Sequence, residues 1–286
     1  MPDEEDQWSR YVTVWSADPE TGASAVPAVF VHGIFTWGED AAYGFAAQRP
    51  LTDTRPLLLM DRRGYGSSPD TARSDFEADA DELVRLLDDC PDGAHLVGHS
   101  NGGLAAMLAA GRRPRAVRSL ALIQPSAFRA APDHPAVREL LNRVEMPEGT
   151  EQPARPDGAD PRQEPQQEEL DPAEYLRLST EALGMPMPEP TPRRLRAVRT
   201  SMRERPVWEA DPPLEPLAAA PWPKLVVSGT WEDAPELYRR YAGEPLLACA
   251  EAVADRIGAR RLRVPGYYPH TQYPAEVNAA LRELWS

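Results

Sequence analysis

Cysteine is nearly missing from this chain of 286 residues, which holds only Cys90 and Cys249. Two such thiols supply neither a disulfide framework nor a metal-ligand spacing. Long apolar runs are missing too. None approaches the ~18 to 20 residues that a membrane span requires, and the opening MPDEEDQW carries acid where a secretory leader would carry an apolar core. Cationic side chains are in deficit, 31 against 45 acidic ones, for a formal net charge of −14. Phosphate binding runs on clustered Lys and Arg, so nucleic acid and anionic membrane surfaces are excluded as expected partners. The acidity is read as serving solubility, and the expected setting is the cytoplasm. Oligomeric state is not legible.

What is abundant is proline, 32 of 286 residues, about twice the ordinary ~5%. Ten of these fall between residues 145 and 192, and residues 145–174 hold ten acidic side chains against two arginines. The piece MPEGTEQPARPDGADPRQEPQQEEL has almost no large apolar residue, so burial cannot offset the entropy of ordering it. It is read as a disordered Pro- and acid-rich loop, about 145–170.

On either side the pattern is regular. AVFVHG (28–33), PLLLMD (56–61), AHLVGH (94–99), RSLALIQP (118–125), PKLVVSG (223–229) and RRLRVPG (260–266) are short apolar runs closed by turn residues. Runs without alternation suit strands buried on both faces. Between them lie helical patterns: DFEADADELVRLLDD (75–89) places Phe76, Ala80, Leu83, Val84 and Leu87 on one face. LLACAEAVADRIGA (246–259) and PAEVNAALRELW (274–285) behave alike, the latter opening on Pro274. Strands alternating with helices predict an α/β fold with a mainly parallel sheet, and YVTVWS (11–16) adds an edge strand.

In such a sheet reactive groups sit where strands lead into helices. HLVGHSNGGLAAMLAAG (95–111) falls at such a place, and Gly98-His99-Ser100-Asn101-Gly102 fits G-x-S-x-G. The bend at Ser100 leaves room only for hydrogen two residues before and after it. It also sets the serine at the positive end of a helix, whose free N–H groups favour a nearby anion.

With VFVHGIFTWGED and DRRGYGSSP upstream of LVGHSNGG, the chain resembles the α/β-hydrolase fold family over nearly all its length except residues 126–220. The resemblance implies a core of residues 1–125 and 221–286, a helical cap over 126–220, and catalysis without cofactor or metal. It implies an oxyanion hole from the backbone N–H groups of Ile34 and Asn101, with Phe35 and Trp37 as pocket walls. His32 is read as a prop for this turn, and Asp61, Arg62 and Tyr65 as structural.

A serine hydroxyl needs a base, and the base needs an orienting group. The family order is Ser, acid, His. Of the histidines at 32, 95, 99, 134 and 270, only His270 lies after the last strand and before the final helix, which makes it the expected base. The family commonly reads G-x-x-H here; this chain has Gly266, Tyr267, Tyr268, Pro269 and then His270, one place late. Tyr267 or Tyr268 could therefore fill the usual slot and line the substrate site. The resemblance implies an acid at the family's usual G-x-x-D spacing from Gly229, which places Glu232 in the slot with Asp233 beside it, either able to hold an imidazole, while Gln124 closes the alternative position after ALIQP. Within the cap, PAVRELLNRV (135–144), DPAEYLRLSTEAL (171–183) and TPRRLRAVRTSMRE (191–204) read as helices. The arginines at 193, 194, 196, 199, 203 and 205 are read as partners of the acidic loop or, alternatively, as a site for an anionic substrate group.

The expectation is a serine hydrolase, carboxylesterase-like, that cleaves an ester, thioester or related acyl bond of a small molecule. The competing readings are a lyase, cyclase or isomerase on the same fold, and a non-catalytic ligand-binding protein.

Overall fold

A computed structural model describes residues 11–16, 25–145 and 170–286. Seven strands form one sheet: β1 (Val12–Trp15), β2 (Ala28–Val31), β3 (Leu57–Met60), β4 (Ala94–His99), β5 (Val117–Ile123), β6 (Lys224–Gly229) and β7 (Arg260–Val264). Their spatial order is β1-β3-β2-β4-β5-β6-β7. Only β1 runs antiparallel, pairing Val12 with Met60 and Trp15 with Leu57 at the edge. The other six are parallel. Each expected strand is found, with ends shifted by at most two residues.

Among the described residues ten helices follow in chain order: α1 (Phe76–Asp88), α2 (Asn101–Arg112), α3 (Pro135–Glu145), α4 (Pro172–Ser179), α5 (Pro192–Met202), α6 (Leu214–Ala219), α7 (Glu236–Tyr238), α8 (Glu244–Ile257), α9 (Pro269–Gln272) and α10 (Pro274–Trp285). Local signals set their ends. The Asp75 side chain caps α1 by accepting from the Glu77 N–H at 2.8 Å. Gly258, at φ 66°, closes α8 in the left-handed region.

One face of the sheet packs Val29, Val31, Leu96, Leu120 and Leu122 against α1, α2 and α8. The other packs Phe30, Val97, Ile123 and Val227 against α10 and the turn 46–53. Because β4 is central, its strand-to-helix junction emerges in the middle of the sheet's carboxyl edge. Between β5 and β6 the chain inserts α3 to α6; the expected loop over 145–170 lies, apart from its end residues, outside the described residues. No helix among the described residues is long and apolar enough to cross a membrane.

Candidate active site

Ser100 stands at φ 53°, ψ −120°, a left-handed backbone that side-chain-bearing residues adopt at a cost of about 1–3 kcal/mol. Close packing holds it there. A Cβ on Gly98 would lie 2.6 Å from the Gly102 carbonyl oxygen, and one on Gly102 would lie 2.3 Å from that of Val31. Both glycines are therefore obligatory, as the G-x-S-x-G reading requires. Asn101 opens α2, so its N–H is among those with no intrahelical partner.

The Gly33–Ile34 peptide lies beside this bend; a Cβ on Gly33 would come within 3.1 Å of Ser100 Cβ. Its orientation follows from hydrogen bonds. The Arg62 N–H donates to His32 Nε2 at 3.0 Å, so Nδ1 carries the ring proton and donates to the Gly33 carbonyl at 2.8 Å. Arg62 Nη1 donates to the same carbonyl at 3.2 Å. In a trans peptide the N–H faces away from its carbonyl, so the Ile34 N–H points opposite to this anchor. Burial, helped by the Arg62 charge, pushes the His32 imidazole down to about 3. His32 is thus a neutral prop.

The expected Ser–His–acid relay is not assembled. Ser100 Oγ is 3.0 Å from Ser126 Oγ, and the Ser126 N–H returns to the Ser100 carbonyl at 3.2 Å. His270 is 0% exposed and packs against Phe45 and against His99, at ring-centroid distances of 5.4 and 4.3 Å. Its Nε2 faces the Tyr43 carbonyl at 3.2 Å. A carbonyl only accepts, so Nε2 carries the proton and cannot take another from a serine. Nδ1 has no hydrogen-bond partner among the described residues, and burial pushes the ring down to about 4. Glu232 and Asp233 are exposed, and among the described residues neither makes a hydrogen bond to the ring. His270 as base with Glu232 or Asp233 behind it therefore stays an expectation: among the described residues its ring makes no hydrogen bond to Ser100 or to either carboxylate.

The other histidines do not replace it. His95 bonds the Ser119 hydroxyl at 2.8 Å, His134 is exposed, and burial depresses His99 well below its ordinary value. The tyrosine loop holds itself together instead. The Tyr268 and Tyr238 hydroxyls are 2.8 Å apart, and Tyr267 packs near Trp231.

Gln124, noted in the sequence only for lacking charge, ties three strand ends together. Its Oε1 accepts from the Gly229 N–H and Trp231 Nε1, each at 3.0 Å. Its Nε2 donates to the Tyr267 carbonyl at 3.0 Å. A carboxylate could not make the last bond.

The arginines of α5 face core loops. Arg194 grips Asp40 through two bonds of 2.7 and 2.8 Å; burial alone would raise the Asp40 carboxyl, but Arg194 outweighs it and holds it below its usual range. Arg196 pairs with Asp70 at 2.6 Å, and Arg193 with Asp61 at 3.5 Å. The Arg193 and Arg194 guanidiniums also lie over Trp37, and Phe35 meets Tyr175 of α4 edge-on. Among the described residues the partners of these three arginines are thus Asp40, Asp61 and Asp70; the acidic loop expected to pair with them lies, apart from its end residues, outside the described residues. Sequence reasoning missed Ser126, Ser201 and Tyr175, none of which carries a motif.

Comparison with known proteins fits this arrangement. The model of the "Alpha/beta hydrolase family" matches residues 28–280. The chain is 34% identical over 136 residues to the sn-1-specific diacylglycerol lipase ABHD11 of Mus musculus, covering 44% of this chain and 42% of that protein. It is 35% identical over 113 residues to the pimeloyl-[acyl-carrier protein] methyl ester esterase of Neisseria meningitidis, covering 39% and 42%. The matched stretch thus spans less than half the length of these curated relatives. In fold it resembles the esterase RhEst1 from Rhodococcus sp. ECU1013, with a TM-score of 0.63, 15% identity, and coverage of 96% of this chain and 93% of that one.

Proposed function

The chain belongs to the alpha/beta hydrolase family, and on that footing we propose that it hydrolyses an activated acyl bond, a thioester or an ester with a good leaving group, through Ser100. The observation that carries this reading is the formed elbow, with Ser100 at φ 53° and ψ −120° beside a Gly33–Ile34 peptide fixed by His32 and Arg62. In the proposed reaction Ser100 Oγ adds to the acyl carbon as its proton passes to solvent water or hydroxide, and collapse of the tetrahedral oxyanion breaks the bond to the leaving group, which departs as thiolate or alkoxide. The Ile34 and Asn101 N–H groups receive the oxyanion, with Phe35 and Trp37 as walls. Water then adds to the acyl carbon of the acyl–Ser100 ester, breaking its bond to Oγ to give the carboxylic acid and restore the Ser100 hydroxyl.

Leaving-group chemistry follows from what does not touch the serine. A positioned general base contributes about 10²- to 10⁴-fold, and no imidazole among the described residues bonds to Ser100. What remains is the oxyanion hole and substrate binding, which alone sustain roughly 10³- to 10⁴-fold over water in serine hydrolases stripped of a triad member. That suffices for an acyl bond whose leaving group departs readily as thiolate or phenolate, and not for an amide. The relatives named as a lipase and as a methyl ester esterase support acyl-bond chemistry at this fold.

The test is turnover of 4-nitrophenyl butyrate and of butyryl-thiocholine by wild type and Ser100→Ala. Hydrolysis that disappears in the variant supports the proposal. Equal turnover by both proteins refutes it.

A further inference from the structure

Phe35 follows the oxyanion-loop residue Ile34 and sits at φ 61°, left-handed although it is not glycine. Such a conformation persists only where neighbours over-determine it. Both hydrogen-bonding groups of Phe35 are taken, and both by one helix of the inserted segment. Its N–H donates to Ser201 Oγ at 3.2 Å. Its carbonyl accepts from Arg194 Nη1, whose guanidinium is fixed in turn on Asp40.

Ser201 is itself braced. Its hydroxyl lies 2.9 Å from the Ala197 carbonyl one helical turn back and 3.0 Å from the Tyr65 hydroxyl. Tyr65 donates to Glu204 Oε2 at 2.8 Å. Glu204 pairs with Arg62, which holds the Gly33 carbonyl from the other side and pairs with Asp79 at 2.7 Å. The segment Gly33-Ile34-Phe35 is thus gripped at one end by the sheet core and at the other by α5, and both grips meet at Glu204.

The geometry points to α5 as part of the oxyanion device: Ser201 and Arg194 are positioning residues that fix Phe35, and through it the direction of the Ile34 N–H. This rests on the reading of Ile34 as an oxyanion donor. It gives the inserted segment a task in the chemistry besides covering a pocket. Loss of the Ser201 hydroxyl frees the Phe35 N–H and lets the Ile34–Phe35 peptide turn. The Ile34 donor then points imperfectly, which weakens the transition state more than the ground state.

The experiment compares wild type, Ser201→Ala and Ser201→Thr on 4-nitrophenyl butyrate and on a phenyl trifluoromethyl ketone, which reacts with an active serine to give a tetrahedral oxyanion. Losing an oxyanion donor outright costs ~10²- to 10³-fold, so misdirecting one is expected to cost about tenfold. The alanine variant is expected to lose that factor in kcat and in ketone affinity with KM unchanged, and the threonine variant, which keeps the hydroxyl, to recover both. Should active wild type and folded alanine variant share kcat and ketone affinity, the positioning role is overturned while Ser100 stands. A change confined to KM overturns it too. An unfolded alanine variant leaves the decision to threonine, since a folded threonine variant with reduced ketone affinity is contrary to the proposal and wild-type affinity supports it. Wild type inert to ester and ketone alike removes the reading of the site, and this inference with it.

Discussion

The Nε2–H of His270 faces the backbone carbonyl of Tyr43 across 3.2 Å. That contact occupies Nε2 of the one histidine that chain order brings between the last strand and the last helix. The Gln48 side chain fixes the same residue by donating to its backbone carbonyl at 2.8 Å. Freeing the ring would cost both its bond and its burial among Phe45 and His99.

The pH dependence of turnover follows. His32 and His270 are held near 3 and 4, so they stay neutral from pH 6 upward, and neither bonds Ser100. The kcat/KM for 4-nitrophenyl butyrate is expected to show no imidazole inflection near ~6.5 and to climb with hydroxide above pH 7. A plateau above an inflection at 6 to 7 contradicts this and returns a histidine base to the site.

Glu232 and Asp233 are solvated loop carboxylates here. Glu232→Ala and Asp233→Ala are expected to leave kcat/KM within about twofold and stability within about 0.5 kcal/mol, as for surface substitutions generally. A drop of a hundredfold in either variant would show that one of them orients a catalytic imidazole after all.

Stability depends on pH through the same buried rings. Burial holds His32, His95 and His270 down to about 3, 3 and 4 in the fold, below the ordinary imidazole value of ~6.5. The unfolded chain therefore binds protons first as pH falls. Stability is full above 6.5 and declines as pH drops toward 4. Each ring contributes a loss of roughly 1 kcal/mol between pH 7 and 5.5. Urea unfolding at the two pH values measures the sum; equal midpoints and slopes would mean that these imidazoles are protonated in the fold.

Much of this was legible in the sequence. The strands stood out because apolar runs such as AHLVGH are buried on both faces, and β4 occupies the expected residues 94–99. Ser100 was legible because Gly98 and Gly102 leave no space for a Cβ, a steric demand that spacing alone expresses. His270 was found by elimination, but the direction of its ring depends on the Tyr43 carbonyl, which no side-chain pattern reports. The α5 arginines looked like partners of the nearest acidic run in the chain, which lies outside the described residues. The partners described for three of them, Asp40, Asp61 and Asp70, come from core loops that are adjacent only after folding. Ser201 carries no motif at all; its role appears only through the Phe35 N–H.

The most direct test of Ser100 as a nucleophile that works without an imidazole is intact-mass measurement after treatment with a fluorophosphonate, on wild type, Ser100→Ala and His270→Gln. Glutamine at 270 retains an N–H donor for a carbonyl partner but has no basic ring nitrogen. One adduct on wild type and on His270→Gln, at comparable rates, with none on Ser100→Ala, is the predicted result. An adduct on Ser100→Ala, or its loss from a folded His270→Gln protein, would contradict the account.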